Sequence, residues 1–410
     1  MTFLVLLLIG VCCTAAETLG AEFEFHPGIA VREEYNDNLF LSEESKEHEF
    51  ITRVLPSVEA RYAASLWTWD LKYTLDYIHY ARNLRGSETL HHLNLSGLIE
   101  PVKGKLFVKV IEEYGRVSLD ITRDFTREST FARQSDRNFL SVNPYYVFRL
   151  SPVLTVTAGY IFADTRYDSK AGVDKTDHTL YVESAYDVSR YTSLTAGYKF
   201  VQEDSERDDF LRHDVYVGAR HEYADKSFIT LRIGNSLWDY DTKDSNSQIF
   251  WSAGLTHNFR TFTGFLETGV DYYEDPQGTV RRVTRYLAGI KALKDRAELN
   301  LSAGATKYKD EDTELSGTSD RETKYGATGT LKYELTPKMT GFLDLTVERI
   351  EHDDADTHTK RFLGGLKLDY LLWENTVLSL SYYYTDSSSP DIPVDNYENN
   401  RVFAEVKKRF

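Results

Sequence analysis

Residues 67–80 read WTWDLKYTLDYIHY. Trp67, Trp69, Leu71, Tyr73, Leu75 and Tyr77 take the odd positions ahead of His79, and Thr68, Asp70, Lys72, Thr74 and Asp76 take the even ones. Period two makes this a strand with one apolar face and one wet face. The apolar face is strongly aromatic, and the wet face carries charge in mid-strand. Which face meets the core, and whether there is a core at all, depends on the rest of the chain.

The alternation recurs to the C-terminus, for example in LTVTAGYIF (154–162), VYVGARHEY (215–223), YLAGIKA (286–292), FLGGLKLDY (362–370) and LSLSYYY (378–384). The pattern predicts about twenty strands with no helical segment between them. The connections alternate in kind. Tight ones include AASL (63–66), LSPV (150–153), ADKS (224–227) and LTPK (335–338). Longer, mainly acidic ones include SEESKEHE (42–49), VQEDSERDD (201–209), KDEDTELSGTSDRE (309–322) and EHDDADTH (351–358). Short turns at one end and longer loops at the other are the layout of an outer-membrane barrel. A sandwich shares the alternation but not the loop pattern, a propeller needs a blade repeat that is absent, and a soluble barrel this wide has nothing to fill it. The expected fold is therefore all-β: a transmembrane up-and-down antiparallel β-barrel of about 20 strands (18–22), with short periplasmic turns and longer external loops.

Composition agrees. Mean hydropathy is −0.44, which excludes a helical membrane protein. The only long apolar run, Phe3 to Val11, is too short to span as a helix and suits a signal peptide, with cleavage after Ala16. Residues 1–16 are read as signal peptide, 17–27 as a periplasmic N-terminal segment and 28–410 as barrel. Cleavage removes both cysteines, so an exported chain has neither disulfides nor thiolate chemistry. A net charge of −16 argues against nucleic acid as a partner. With 28 Tyr and 22 Phe, aromatics reach 13 %, suiting strands and membrane interfaces.

Charge on the lipid face costs about 2–4 kcal/mol at the bilayer midplane. The odd face of 67–77 and the even faces of 154–162 and 286–292 carry none. Asp70, Lys72, Asp76, Arg285, Lys291, Lys367 and Asp369 fall on the opposite faces, among small residues such as Gly159, Gly197 and Gly289. These seven are the candidate pore-lining residues, expected to face water.

With strand one at about 28–40 and strand two at 50–62, the third external loop is the longest, roughly Tyr114 to Arg137. It holds Arg116, Asp120, Arg123, Asp124, Arg127, Glu128, Arg133, Asp136 and Arg137. Val117, Leu119, Ile121 and Phe125 alternate there with polar residues, which supports a strand continuing above the membrane past a kink at Gly115. The mixed charge supports a second arrangement, a loop folded inward as a constriction with opposed Arg and acid rows.

No catalytic or metal site emerges, and no cofactor is expected. GxSxG and HExxH are absent, and EHDDADTH lacks EF-hand spacing. The histidines read as interfacial polar residues. His213 and His221 share a face with Val215 and Val217, and a hairpin centred near Arg85 would set His79 opposite His91. The chain is expected not to be an enzyme.

The segments HPGIAVREEYNDNLFLSEE (26–44), EFITRVLPSVEARY (49–62) and RVSLDITRDFTRESTFARQSDRN (116–138) resemble a family of outer-membrane β-barrel porins associated with exopolysaccharide and exosortase (PEP-CTERM) loci. The final VFAEVKKRF, ending in Phe410, resembles the sorting signal read by the barrel-assembly machinery, except that Lys408 replaces the usual apolar residue. The resemblance implies a bacterial outer-membrane location, with lipid and lipopolysaccharide as surroundings, and a role in envelope polysaccharide export with export components as candidate partners. The strand count and wet interior lead to the expectation of a channel passing hydrophilic solute or polymer. A structural or assembly barrel that anchors or sheathes a periplasmic or surface partner is the alternative.

Overall fold

The computed structural model describes residues 21–129, 132–241, 244–310, 321–352, 357–390 and 392–410. The expected signal peptide lies outside the described residues, as do most of the acidic segment 309–322 and half of 351–358. Twenty strands follow in order: β1 Glu22–Asn36, β2 Glu49–Ala63, β3 Trp67–Tyr80, β4 Glu88–Val102, β5 Leu106–Ser118, β6 Gln134–Ser151, β7 Leu154–Tyr167, β8 Lys175–Ser189, β9 Thr192–Ser205 and β10 Phe210–Ala224. The second half is β11 Ser227–Tyr240, β12 Asn246–Phe259, β13 Phe262–Glu274, β14 Val280–Lys294, β15 Ala297–Asp310, β16 Arg321–Thr336, β17 Met339–His352, β18 Thr357–Trp373, β19 Thr376–Ser388 and β20 Tyr397–Arg409. Each pairs antiparallel with its neighbours, and β1 closes on β20 from Gly28↔Arg409 to Asn36↔Arg401. The sheet has no edge, which satisfies every wall strand without water.

Strands of 13–18 residues are longer than the 9–11 needed to span a bilayer, so the wall rises beyond the membrane. β1 begins at Glu22 and ends at Asn36, earlier than the expected 28–40. Phe23 and Phe25 are already outward-facing and exposed, so part of the segment assigned to the periplasm is wall.

The period-two reading sets the faces. Outward positions carry Val215, Val217, Leu231, Ile233, Leu366 and Leu380, all more than half exposed, as lipid contact requires. An aromatic cluster of Tyr62, Trp67 and Trp69 marks the periplasmic edge of β2 and β3. Toward the other edge the tyrosine hydroxyls of Tyr73, Tyr160 and Tyr198 lie 2.7, 2.5 and 2.8 Å from Nδ1 of His91, His178 and His213. Each pair is diagonal across two strands, tying polar groups together in the headgroup zone. His91 faces Leu75 rather than His79, because the loop closes earlier than Arg85, with Asn83 at φ 59°. His79 instead lies 3.1 Å from Ser87.

On the inner side, several glycines make room for rings. A methyl group at Gly197 would overlap the ring of Tyr216, and one at Gly234 would overlap Phe250. Without a Cβ beneath them these rings lie flat on the wall and leave the lumen clear.

Candidate functional site

A circular barrel of twenty strands spaced about 4.8 Å apart and tilted about 40° is about 40 Å across at the backbone. What occupies that width decides what the molecule can pass. The third loop leaves β5 after Ser118, and its described residues, 119–129 and 132–133, fold inward instead of extending the strand. β5 runs through Gly115 without a break.

The turns of this loop are built locally. Asp120 accepts from the backbone N–H of Thr122 at 2.9 Å. Asp124 caps a single 3-10 turn, Phe125–Arg127, by accepting from Thr126 N–H at 3.0 Å. The turn carries Phe125 against Leu41 and Tyr397, a small core at the external end of the barrel. Apolar burial there holds the loop without any covalent tie.

The loop docks on strands from the other side of the ring. Lys324 of β16 donates to the Thr122 carbonyl at 2.9 Å. Thr122 is four residues from the end of β5, a reach of at most about 14 Å. Even with an extended lysine, the external ends of β5 and β16 therefore approach well inside the width of a circular barrel.

Two buried ion pairs finish the contact. Arg123 donates to Asp395, between β19 and β20, and at 3.2 Å to the Thr359 hydroxyl of β18. Thr359 donates in turn to Asp395 at 3.0 Å. Glu128 accepts from Arg361 of β18 and from the Tyr397 hydroxyl of β20. Arg361 also donates to Glu348 at 2.9 Å, and Glu348 lies 2.7 Å from Lys324. Arg401 donates to the Arg127 carbonyl at 2.7 Å and to Glu34 at 2.8 Å. Burial opposes ionisation of Asp395, but the hydrogen bond and charge of Arg123 outweigh it and hold the carboxyl below its usual range.

The nine charged residues singled out in this region thus divide. Arg123 and Glu128 are committed to the far wall. Arg116 pairs with Asp136 at 2.7 Å and Arg137 with Glu113 at 2.9 Å, bracing β4, β5 and β6 rather than the loop. Arg133 sits 3.6 Å from Asp120. Asp124 and Arg127 have exposed side chains. The expected facing rows of arginines and acids are not formed; of the loop charges, Arg123 and Glu128 find their partners on the wall.

The seven wall residues also divide. Asp70 and Lys72 face inward beside Arg61 and Glu59 at 3.6 and 3.7 Å, on open surface. Arg285 and Lys291 are inward and exposed. Lys367 pairs with Asp369 at 2.9 Å. Asp76 is a correction: it does not line water. It is 1 % exposed and accepts from Arg53, beneath a cluster of Leu39, Ile51, Ile78, Tyr80 and Leu90. The first external loop folds back and brings Leu39 onto the inward side chains Ile78 and Tyr80, which seals this level off.

Arg361, Asp395, Tyr397, Lys324 and Arg401 were not singled out from sequence. Period two alone puts Arg361 on the inward face with Lys367 and Asp369. Nothing local says that its partner lies 233 residues away.

No family model matches the sequence, and no curated protein matches it significantly. Solved structures do. The siderophore receptor PirA from Pseudomonas aeruginosa is similar at 11 % identity over 94 % of this chain and 80 % of that one, with a TM-score of 0.52. A variant of the ferric enterobactin receptor of P. aeruginosa, crystallised with enterobactin, is similar at 10 % identity over 95 % and 82 %, with a TM-score of 0.55. The FrpB iron transporter from Neisseria meningitidis is similar at 10 % identity over 94 % and 82 %, with a TM-score of 0.51. At such identities the likeness is one of fold. With the closed barrel and its apolar outer surface, it places the chain in the bacterial outer membrane.

Proposed function

We propose that the chain is an outer-membrane channel for hydrophilic solute or polymer, and that its third loop sets the clearance of the pore. The observation that carries this reading is the docking of the loop segment 119–129 on the opposite wall through Arg123–Asp395 and Glu128–Arg361. Barrels of 16–18 strands already enclose an aqueous channel, so a wider one needs an internal element to select by size. Below the loop the wall is polar and of mixed charge, with Asp70, Lys72, Arg285, Lys291, Lys367 and Asp369 facing inward. The segments resembling exopolysaccharide-associated porins favour a polymer of sugar units as cargo. Neighbours described as receptors and transporters are consistent with transport rather than catalysis.

A second reading, a barrel that stays shut and serves as an anchor or assembly site, draws support from the same buried ion pairs. Liposome swelling separates the two. Vesicles carrying the protein are expected to swell in neutral sugars up to a size limit, and that limit should rise when residues 119–133 are replaced by a short Gly-Ser linker. Vesicles that swell with neither form would leave the anchoring role.

A further inference from the structure

The wall opposite β3 holds a cavity of about 670 Å³ that the loop contacts do not use, lined from β9 to β14. Across it runs one register row: Arg232 of β11 faces Ser252 of β12, which faces Gly269 of β13, which faces Arg285 of β14. Three strand spacings put the two arginines about 14 Å apart at the backbone, with only a hydroxymethyl group and a hydrogen between them. The Arg232 guanidinium stacks 4.0 Å from the centre of Tyr216 and 5.3 Å from that of Phe250. Those are the two rings that lie flat over Gly197 and Gly234. Lys199 approaches the Tyr216 ring at 6.0 Å.

Carboxylates are near but are otherwise engaged or offset. Asp214 accepts from Ser236 at 2.6 Å and lies 3.2 Å from Arg212. Glu183 accepts from the Tyr216 hydroxyl. Glu267 and Asp271 flank Gly269 on β13. Among the described residues neither Arg232 nor Arg285 has an ion-pair partner, although both are exposed to the lumen. A guanidinium held on aromatic faces is ordered in advance, keeps its in-plane donors free and suits a carboxylate or phosphate. The two rings are themselves buried, 6 % and 8 % exposed, so they hold the guanidinium in place and leave it as the group that meets solute.

We infer that this groove is a binding subsite for an acidic sugar, with Arg285 and Arg232, the latter held in place by Tyr216 and Phe250, taking its anionic groups. The inference deepens the channel reading and rests on it for its biological sense. The shared ligand chemistry is an anion on a pyranose-sized ring, carried by a carboxylate or by a phosphate.

Two measurements test it. In planar bilayers, glucuronate and glucose 6-phosphate are compared with glucose as blockers of the ionic current. At least one anionic sugar is expected to block at a concentration about tenfold or more below glucose. That preference should vanish in the R232Q/R285Q double variant and persist in R349Q, on the outer rim. Glucose blocking as well as both acids, or a preference that survives R232Q/R285Q, overturns the inference. Which acid blocks tells carboxylate from phosphate. Should no current be seen, titration calorimetry on detergent-solubilised protein replaces the blocker assay. Glucuronate or glucose 6-phosphate heat that R232Q/R285Q abolishes keeps the subsite while the channel reading fails. Absence of binding by either acid to the native protein removes the subsite.

Discussion

Glu128, in the third loop, and Arg361, near the external end of β18, form an ion pair in which both side chains are almost fully buried. They stand 233 residues apart in the chain, and β18 is seven strands from β5 around the ring. The pair joins two walls rather than two neighbours. Removing one partner of such a pair strands a charge and typically costs about 3–5 kcal/mol, whereas replacing both by apolar groups is far milder. Glu128→Ala is therefore expected to free the loop, and Glu128→Leu with Arg361→Met to keep it docked. Limited trypsin digestion checks this: cleavage after Arg123 or Arg127 should appear in the single variant and stay near the native level in the double.

The Arg123–Asp395 contact has a defined pH range. The folded carboxyl of Asp395 is held below its ordinary value by Arg123, so its contribution is fully present above the unfolded pKa of about 3.9 and is lost as pH falls through the folded one. A double-mutant cycle with Arg123→Gln and Asp395→Asn should give a constant coupling from pH 5 to 8. The coupling should vanish only below the usual carboxylate range. A coupling that halves between pH 7 and 5 would contradict the assignment.

Gly197 sits under Tyr216, whose hydroxyl is engaged by Glu183. Gly197→Ala must push that ring into the lumen and break the hydrogen bond, an overpacking cost of about 1–3 kcal/mol. Adding Tyr216→Ala should recover part of the loss. Urea unfolding in lipid vesicles measures both.

Val217 is outward and 54 % exposed. Val217→Arg is expected to lose about 2–4 kcal/mol if it lies at the bilayer midplane. Thr330→Arg, on the inward face of β16, should lose much less. A larger loss at Thr330 than at Val217 would mean that the faces are exchanged, and equal losses would contradict the assignment.

The stretch at 67–80 illustrates what period two can and cannot tell. Its odd face is outward and its even face inward, and the same rule assigned the faces of β7, β10, β14 and β18. The strand total and the single-end placement of short turns were likewise readable, because both follow from spacing along the chain. Asp76 was misjudged for a different reason. Its parity is inward, but whether an inward side chain meets water depends on a loop that returns over it, here bringing Leu39 onto Tyr80. The third loop poses the same problem. Its alternation of Val117, Leu119 and Ile121 looks like more strand, and only contacts hundreds of residues away turn Phe125 and Arg123 toward the far wall. His91 faces Leu75 and not His79 because the hairpin centres on residue 83, where Asn83 is left-handed, and not near Arg85.

The central claim is that residues 119–133 set the clearance of the lumen, and single-channel conductance tests it most directly. Native protein and a variant with 119–133 replaced by a short Gly-Ser linker are compared in the same lipid and salt. A several-fold larger unitary conductance is expected for the variant, with Glu128→Ala falling between. Identical conductances for the native and loop-replaced forms would contradict it.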